Sequence, residues 1–446
     1  MYLLVLFLLL IAGVILFFKR DMLSSIAIFL FFLTDGYQLM PESLLADSPI
    51  NKYADFALLY ILIICAISGI RRKSFFAASD PLTKFIYLML GFMLVQLIIT
   101  VGLGLETFAY SFKVFRQFLF LLSYFVLRTL SVRDISRIIR YSFYLTLFIG
   151  ILYVMQVVLN MQILAGKVDD LGSITSEKAR FRNLPLFTDF FLFFLIFTKV
   201  FKKWRVPALI LLVICFILPM NRGPIFAIGL VFCIYYLKEG KVKNLVKYAL
   251  ILTTVFLIAW PFIADRFTKT GSGSDISRAL SLRGSEGYDE NEGGTFDFRI
   301  ALFLERGEYI FSHPQQLLFG VGMRHDDSPF TERDFRFFIG TMKVQDGNTI
   351  KQQLDTPDLV WAPIIIRFGL VGMALYIMFY ITLMRFFYKN RENKLALIAL
   401  LLIGMYIILS FATDILVRPI TFYIITLCYV AVNKSKQESI NSPLPS

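Results

Sequence analysis

The sequence is poor in histidine, tryptophan, cysteine and charge. Two histidines, His313 and His325, in 446 residues cannot build a His-rich metal centre. The four cysteines, Cys65, Cys215, Cys233 and Cys428, all fall inside apolar runs without accompanying ligands, so they imply packing rather than a disulfide or a metal site. Only 17% of residues are charged against 57% hydrophobic, 48 of them Phe, with a mean hydropathy of +0.70. Such a chain belongs mostly in lipid. The first apolar run, Tyr2 to Phe18, lacks both a basic start and a small-residue cleavage site, and reads as a retained helix rather than a signal peptide.

What is there is a succession of apolar spans, at roughly 2–18, 22–40, 53–70, 82–104, 107–127, 141–163, 186–201, 206–220, 224–237, 245–263, 358–384, 395–412 and 419–433. The expected fold is an all-α polytopic integral membrane helical bundle of about 12–13 transmembrane helices with one large extracytoplasmic loop domain. Its parts are N-terminal transmembrane helices over 1–263, the loop over 264–357, C-terminal transmembrane helices over 358–433 and a cytoplasmic tail over 434–446. Every odd-numbered span exit is basic, as at Arg71-Arg72-Lys73, and every even-numbered exit carries at most one net positive charge. By the positive-inside rule the amino terminus and the loop face outward and the carboxyl terminus faces the cytoplasm. The net charge of +13 does not point to nucleic acid. Between Ala264 and Pro357, 11 Lys/Arg stand against 15 Asp/Glu, a net of −4, so the lipid-flanking remainder carries +17.

The polar interval holds the stretch that the rest of the chain serves. In Phe296–Gly322, Ile300, Phe303, Leu304 and Phe311 recur at helical spacing while Arg299, Glu305 and Arg306 fill the other side, which predicts an amphipathic helix. Such a helix also suits a role that only seals the membrane surface. His313-Pro314 ends it, and Gly320-Val321-Gly322 predicts a flexible turn. Gly271 to Gly294, rich in Gly, Ser and acids, reads as a mobile flap or tether. Arg324, His325, Asp326, Arg333 and Arg336 form a polar patch after the helix. In Asp355-Thr356-Pro357-Asp358, Thr356 suits a helix cap, Pro357 the first helical position and Asp358 the first turn. That accounts for Asp358 structurally, and also sets a carboxylate at the mouth of a span, where it can take a proton from a sugar hydroxyl. Arg367 falls on the opposite side of that helix unless Pro363 bends it.

Charges placed inside apolar spans are costly and therefore informative. Lys113 and Arg116 lie one helical turn apart in 107–127, Arg116 about 15 Å from the outer end, where a cation costs roughly 2.5–3.5 kcal/mol. Either an acid on another helix pairs with it, or the pair walls a site for an anionic headgroup. The turn Asn221-Arg222-Gly223-Pro224 joins two spans of about 21 Å each, shorter than a core of roughly 30 Å, so Arg222 either sits in a recessed hollow or reaches the headgroups from a tight turn. The outward loop 164–185 adds Lys178, Arg180 and Arg182, which either grip the same anion or form a solvated face. Asp169-Asp170 and Asp326-Asp327 lack the further oxygen ligands of a calcium loop, so no metal and no cofactor are expected.

The order of these features resembles the bacterial family of O-antigen ligases and O-antigen or capsule repeat-unit polymerases, the Wzy/WaaL group. The resemblance runs from about Arg180 to Phe387. It is carried by the basic loop (Arg180, Arg182), the Asn-Arg-Gly turn (Arg222), the Arg-bearing helix running into His-Pro and Gly-x-Gly (Arg299, His313, Gly320, Gly322), and a helix start followed by Phe-Gly-Leu-Val-Gly (Phe368 to Gly372). It implies a metal-independent glycosyltransferase at the outer face of the bacterial plasma (inner) membrane that draws on an undecaprenyl-diphosphate-linked oligosaccharide, beside a flippase and a chain-length regulator. Arg182 or Arg180 and Arg299 match the family's diphosphate-binding arginines. Many relatives, ligases above all, have His-Asn where this chain has Asp358-Leu359, which favours a polymerase over a ligase.

Chemically, displacement of a diphosphate from an anomeric carbon calls for fixed cations. Arg182, Arg299 and Arg222, with Arg180, Arg116 and Lys113, are the expected diphosphate set. Asp358 is the expected acceptor-side base, and His313, His325 and Arg324 are secondary. The alternatives are a ligase and, in another class, a transporter or flippase of lipid-linked sugar. Against the last, the sequence has no convincing internal repeat.

Overall fold

The computed structural model describes residues 2–45, 50, 52–72, 74–77, 80–166, 168–169, 180–181, 184–219, 221–240, 284–285, 288, 295–345 and 348–441. In chain order the helices are α1 (Tyr2–Phe18), α2 (Met22–Leu33), α3 (Tyr53–Arg71), α4 (Pro81–Gly102), α5 (Phe108–Phe115), α6 (Ser123–Leu127), α7 (Val132–Leu159), α8 (Thr188–Phe197), α9 (Arg205–Ile217), α10 (Arg222–Lys238), α11 (Thr295–Ser312), α12 (Pro314–Leu317), α13 (Pro329–Asp334), α14 (Trp361–Lys389), α15 (Lys394–Leu409) and α16 (Pro419–Asn441). Strands β1 (Val168–Asp169) and β2 (Arg180–Phe181) form one small antiparallel pair, and β3 (Met342–Gln345) and β4 (Asn348–Lys351) another. The chain is thus mostly helical, and α3, α4, α7 and α14 are each long and apolar enough to cross a membrane. Shorter apolar helices pack among them. The expected span 245–263 and, apart from residues 284, 285 and 288, the expected tether 271–294 lie outside the described residues.

Local chemistry sets the helix ends. Asp80 caps α4 by accepting from Thr83 N at 3.1 Å, with Pro81 at the first helical position. Ser131 and Asp134 form a reciprocal capping box at the start of α7, and Asn160 ends that helix in the left-handed region at φ 50°. Leu88, Leu94, Val95, Ile98 and Ile99 of α4 face outward, an apolar flank that suits lipid and not water.

Three expected helices are not continuous. Span 22–40 stops at Leu33, and Asp35, Gly36, Tyr37 and Gln38 follow with φ of 50°, 62°, 61° and 62°. A left-handed turn costs about 1–2 kcal/mol per L-residue, so its neighbours must hold it. Gln38 N donates to Thr34 O at 2.7 Å, Gln38 Nε2 to Leu184 O at 2.9 Å, and Leu186 N to Gln38 Oε1 at 3.2 Å. Span 107–127 divides into α5, a 3-10 segment Phe118–Leu122 and α6. The break falls where Arg116 turns to Asp55 on α3, Nη1 to Oδ1 at 2.8 Å.

The third break is in α14. Gly369 leaves the helix at φ 60°, ψ −160°, and the Gly320-Val321-Gly322 backbone passes through the gap. Val321 N donates to Ile366 O at 2.9 Å, Gly322 N to Arg367 O at 3.0 Å, and Val371 N to Leu318 O at 3.0 Å. From α4, Gln96 Nε2 donates to Phe319 O at 2.8 Å while Thr100 Oγ1 accepts from Met323 N at 2.9 Å. A Cβ on Gly369 would lie 2.6 Å from Gly320 N, and one on Gly320 would run into the Arg367 carbonyl. The expected flexible turn is therefore a fixed crossing, and the two glycine motifs noted separately in the sequence are halves of one joint.

Candidate functional site

Arg299 stands on the second turn of α11, and Asp358 in the irregular segment that leads to α14. Helix α14 begins at Trp361, four residues after Pro357, the expected first helical position, so Asp358 is not in its first turn and the helix-dipole account of it falls away. Instead Thr356 Oγ1 accepts from Asp358 N at 3.1 Å, a local turn, and Thr341 Oγ1 stands 3.4 Å from Asp358 Oδ2. Arg299 Nη2 is 3.7 Å from Asp358 Oδ1, with the side chains 20% and 35% exposed. That separation exceeds a hydrogen bond. Arg299 Nε, buried, meets no acceptor among the described residues. Burial pulls the Arg299 pKa down, and Asp358 acts against that shift. Cation and carboxylate thus lie side by side without saturating one another, and each keeps hydrogen-bonding capacity for a third group.

The other candidates have different fates. Arg116 is paired with Asp55, so it is held as a structural ion pair on a neighbouring helix. Lys113 is exposed, its Nζ 4.7 Å from the Tyr110 ring centroid, and its charge acts on His325 and Asp327. Arg324 is buried, bonded to Asp334 at 2.5 Å, with its guanidinium 5.1 Å from the Phe335 ring centroid. His325 Nδ1 accepts from Asp327 N at 3.1 Å, which puts the ring proton on Nε2. Burial pushes its pKa down to about 4 even though Asp355 and Asp327 favour the charged form. As a neutral Nε2–H donor it is a poor base. His313 Nδ1 lies 2.7 Å from Tyr309 O, where it must donate, and the ring stacks on Tyr309 at 4.2 Å, finishing α11. Arg180 is described as backbone only, opposite Asp169 in the β1–β2 pair. Arg182 and the side chain of Arg222 lie outside the described residues.

Several motif starts nevertheless meet at the C-terminal end of α15. Tyr406 Oη donates to Asp189 Oδ2 at 2.5 Å at the start of α8. A Cβ on Gly223, at the start of α10, would stand 3.6 Å from Leu409 and 3.9 Å from Ala412. Trp361 Nε1 donates to Ser410 Oγ at 2.9 Å, and Val360 N to Ser410 O at 3.2 Å. The N-termini of α8, α10 and α14 thus collect at one end of the bundle, with Asp358 three residues from the last.

Sequence reasoning named Arg324, Asp326 and Arg367 but missed that they join one polar cluster through Asp355. Arg367, 3% exposed, donates from Nε to Arg324 O at 2.9 Å and from Nη2 to Asp355 Oδ2 at 2.7 Å. Asp326 accepts from the amides of Gln353 and Leu354 at 2.9 Å and of Asp355 at 2.7 Å. Burial and the neighbouring Asp355 raise the Asp326 pKa, whereas Arg367 overrides burial and lowers that of Asp355. Arg367, a charge within an apolar span, called for a buried acid, and Asp355 twelve residues earlier is the partner the sequence reading did not assign. Compared with known proteins, the chain matches no family model and no curated protein.

Proposed function

We propose that the protein is a glycosyltransferase of the plasma membrane, a polysaccharide repeat-unit polymerase that uses an undecaprenyl-diphosphate-linked oligosaccharide as donor. The observation that carries this reading is the open Arg299–Asp358 pair at the end of the bundle where the starts of α8, α10 and α14 gather. The order of motifs from Arg180 to Gly372 supports it. The proposed topology has about 12–13 crossings, with the interval 264–357 on the extracytoplasmic side.

In the proposed reaction the acceptor hydroxyl oxygen attacks the anomeric carbon of the donor. The bond from that carbon to the diphosphate oxygen breaks, and the diphosphate leaves with the electron pair. Arg299, with Arg182, Arg180 and Arg222, offsets the developing charge through paired N–H donors. Asp358 takes the hydroxyl proton. A single displacement inverts the anomeric configuration. Lys113, beside Tyr110, is a further cation of the proposed diphosphate set, while Arg116, paired with Asp55, serves the bundle.

The test is chain elongation by detergent-purified protein on lipid-linked repeat units, with no ion gradient present. Elongation without a gradient supports an enzyme over a carrier. Arg299→Ala and Arg182→Ala each abolish polymer at unchanged protein level, and Arg299→Lys is nearly as damaging because a point charge cannot replace the guanidinium fork. Unaltered chain length in the two alanine variants overturns the assignment.

A further inference from the structure

The polar interval has an apolar elbow, Leu318-Phe319, between α12 and the glycine crossing. Two independent rulers give its depth. Helix α4 has 22 residues, about 33 Å, which matches a hydrocarbon core of roughly 30 Å. Phe92 therefore lies about 15 Å from the Gly102 end, near the middle of the core, and Gln96 about 9 Å from that end. The Phe319 ring stacks on Phe92 at a centroid distance of 6.5 Å and an interplanar angle of 28°, and its carbonyl accepts from Gln96. The second ruler is α14, where the break at Gly369 that the crossing occupies comes eight residues, about 12 Å, along the helix from Trp361.

The side chains at this depth do not turn inward. Leu318 is 52% and Phe319 47% exposed, and they continue the outward apolar flank that Leu94, Val95 and Ile98 give α4. Irregular backbone at such depth must pair its polar groups within the protein. Here it does. The carbonyls of Leu318 and Phe319 and the amides of Gly320, Val321, Gly322 and Met323 all have partners at 2.6–3.0 Å.

We infer that Leu318-Phe319 is a re-entrant membrane elbow whose side chains contact phospholipid acyl chains in the leaflet on the Gly102 side. The interval 264–357 is thus not wholly outside the bilayer, and its glycine crossing is anchored in hydrocarbon. This assignment does not depend on the reaction the protein carries out.

The experiment uses the full chain reconstituted into phosphatidylcholine–phosphatidylglycerol vesicles. The photoreactive residue p-benzoylphenylalanine is placed singly at Leu318, at Phe319, at Leu94 as the lipid-facing reference and at Arg333 as the water-facing one. After illumination, intact-mass spectrometry should show phospholipid adducts at Leu318 and Phe319 at a level close to that of Leu94 and at least tenfold above that of Arg333. Adducts at the Arg333 level overturn the elbow. Should the bulky ketone at Phe319 prevent folding, Leu318 carries the test by itself, since its half-exposed side chain leaves room for the probe.

Discussion

Arg299 and Arg306 lie two turns apart on α11, yet their surroundings differ in kind. Arg306 is 2% exposed, bonded to Glu305 and to Gln353 O at 2.8 Å, and lies 4.2 Å from the Phe337 ring centroid. Glu305 is closed in turn by the amides of Phe338 at 2.6 Å and Ile339 at 3.1 Å. Even so, burial brings the Arg306 pKa down to about 10, against the pull of Glu305 and Asp326. Arg299 has one carboxylate at 3.7 Å and an unused Nε. A saturated buried pair fixes a fold, because any newcomer must first break it. An unsaturated pair at a helix-rich mouth leaves donors for a ligand, and so the first is architecture while the second is open to chemistry.

The contrast can be broken or sharpened by substitution. Arg306→Ala strands Glu305 in a closed site and should cost about 3–5 kcal/mol of stability, seen as loss of folded protein or a large fall in the thermal midpoint in detergent. A mild effect there would erase the distinction. Arg299→Ala should lower transfer by about 10²–10³-fold, some 2.7–4 kcal/mol, as removal of a charge-stabilising donor does elsewhere. The thermal midpoint of the same variant should move little, because a loose, part-exposed pair is worth about 0–1 kcal/mol.

His325 tests the closed cluster by pH. Its folded pKa of about 4 lies below the ordinary value near 6.5, so the unfolded chain binds the extra proton across that window. Stability should fall as pH drops from about 6.5 to about 4, by about 2–3 kcal/mol in full, and His325→Gln should flatten that part of the profile. Asp358→Asn should have the smallest structural effect, under about 1 kcal/mol in thermal unfolding, while elongation loses its proton acceptor. A collapse of stability in Asp358→Asn would move that carboxylate from chemistry to architecture.

Composition and periodicity made the apolar helices and the helical character of α11 legible, but not its orientation: Phe311 of the expected apolar side is 63% exposed, whereas Glu305 and Arg306 of the expected polar side are buried. The interruptions were hidden. Asp35-Gly36 is a local turn signal that the apolar run obscured, but nothing local marks Tyr37 and Gln38 as left-handed, since partners that hold Gln38, Leu184 and Leu186, are 146 and 148 residues away. Gln96 and Thr100, four residues apart in an apolar run, were the overlooked trace of the glycine crossing. Of the candidate site, the charge of Arg299 and Asp358 could be read, but their mutual approach comes from the packing of α11 on α14. The start of α14 was misplaced because Thr356-Pro357 has the chemistry of a cap, yet Thr356 is used instead in a turn closed on Asp358.

The glycine crossing also bears on how the molecule is made. Gln96 and Thr100 enter the membrane with α4, but Phe319 and Met323, which complete them, are 223 residues further along the chain. At about 5–20 residues per second the ribosome needs on the order of 10–45 s to deliver those partners. Throughout that delay the nascent α4 carries an unquenched amide in the bilayer, which calls for a temporary partner such as the insertion machinery. Even then the joint cannot close until the later strand of synthesis has supplied Gly369, so biogenesis of this bundle ends where its middle began.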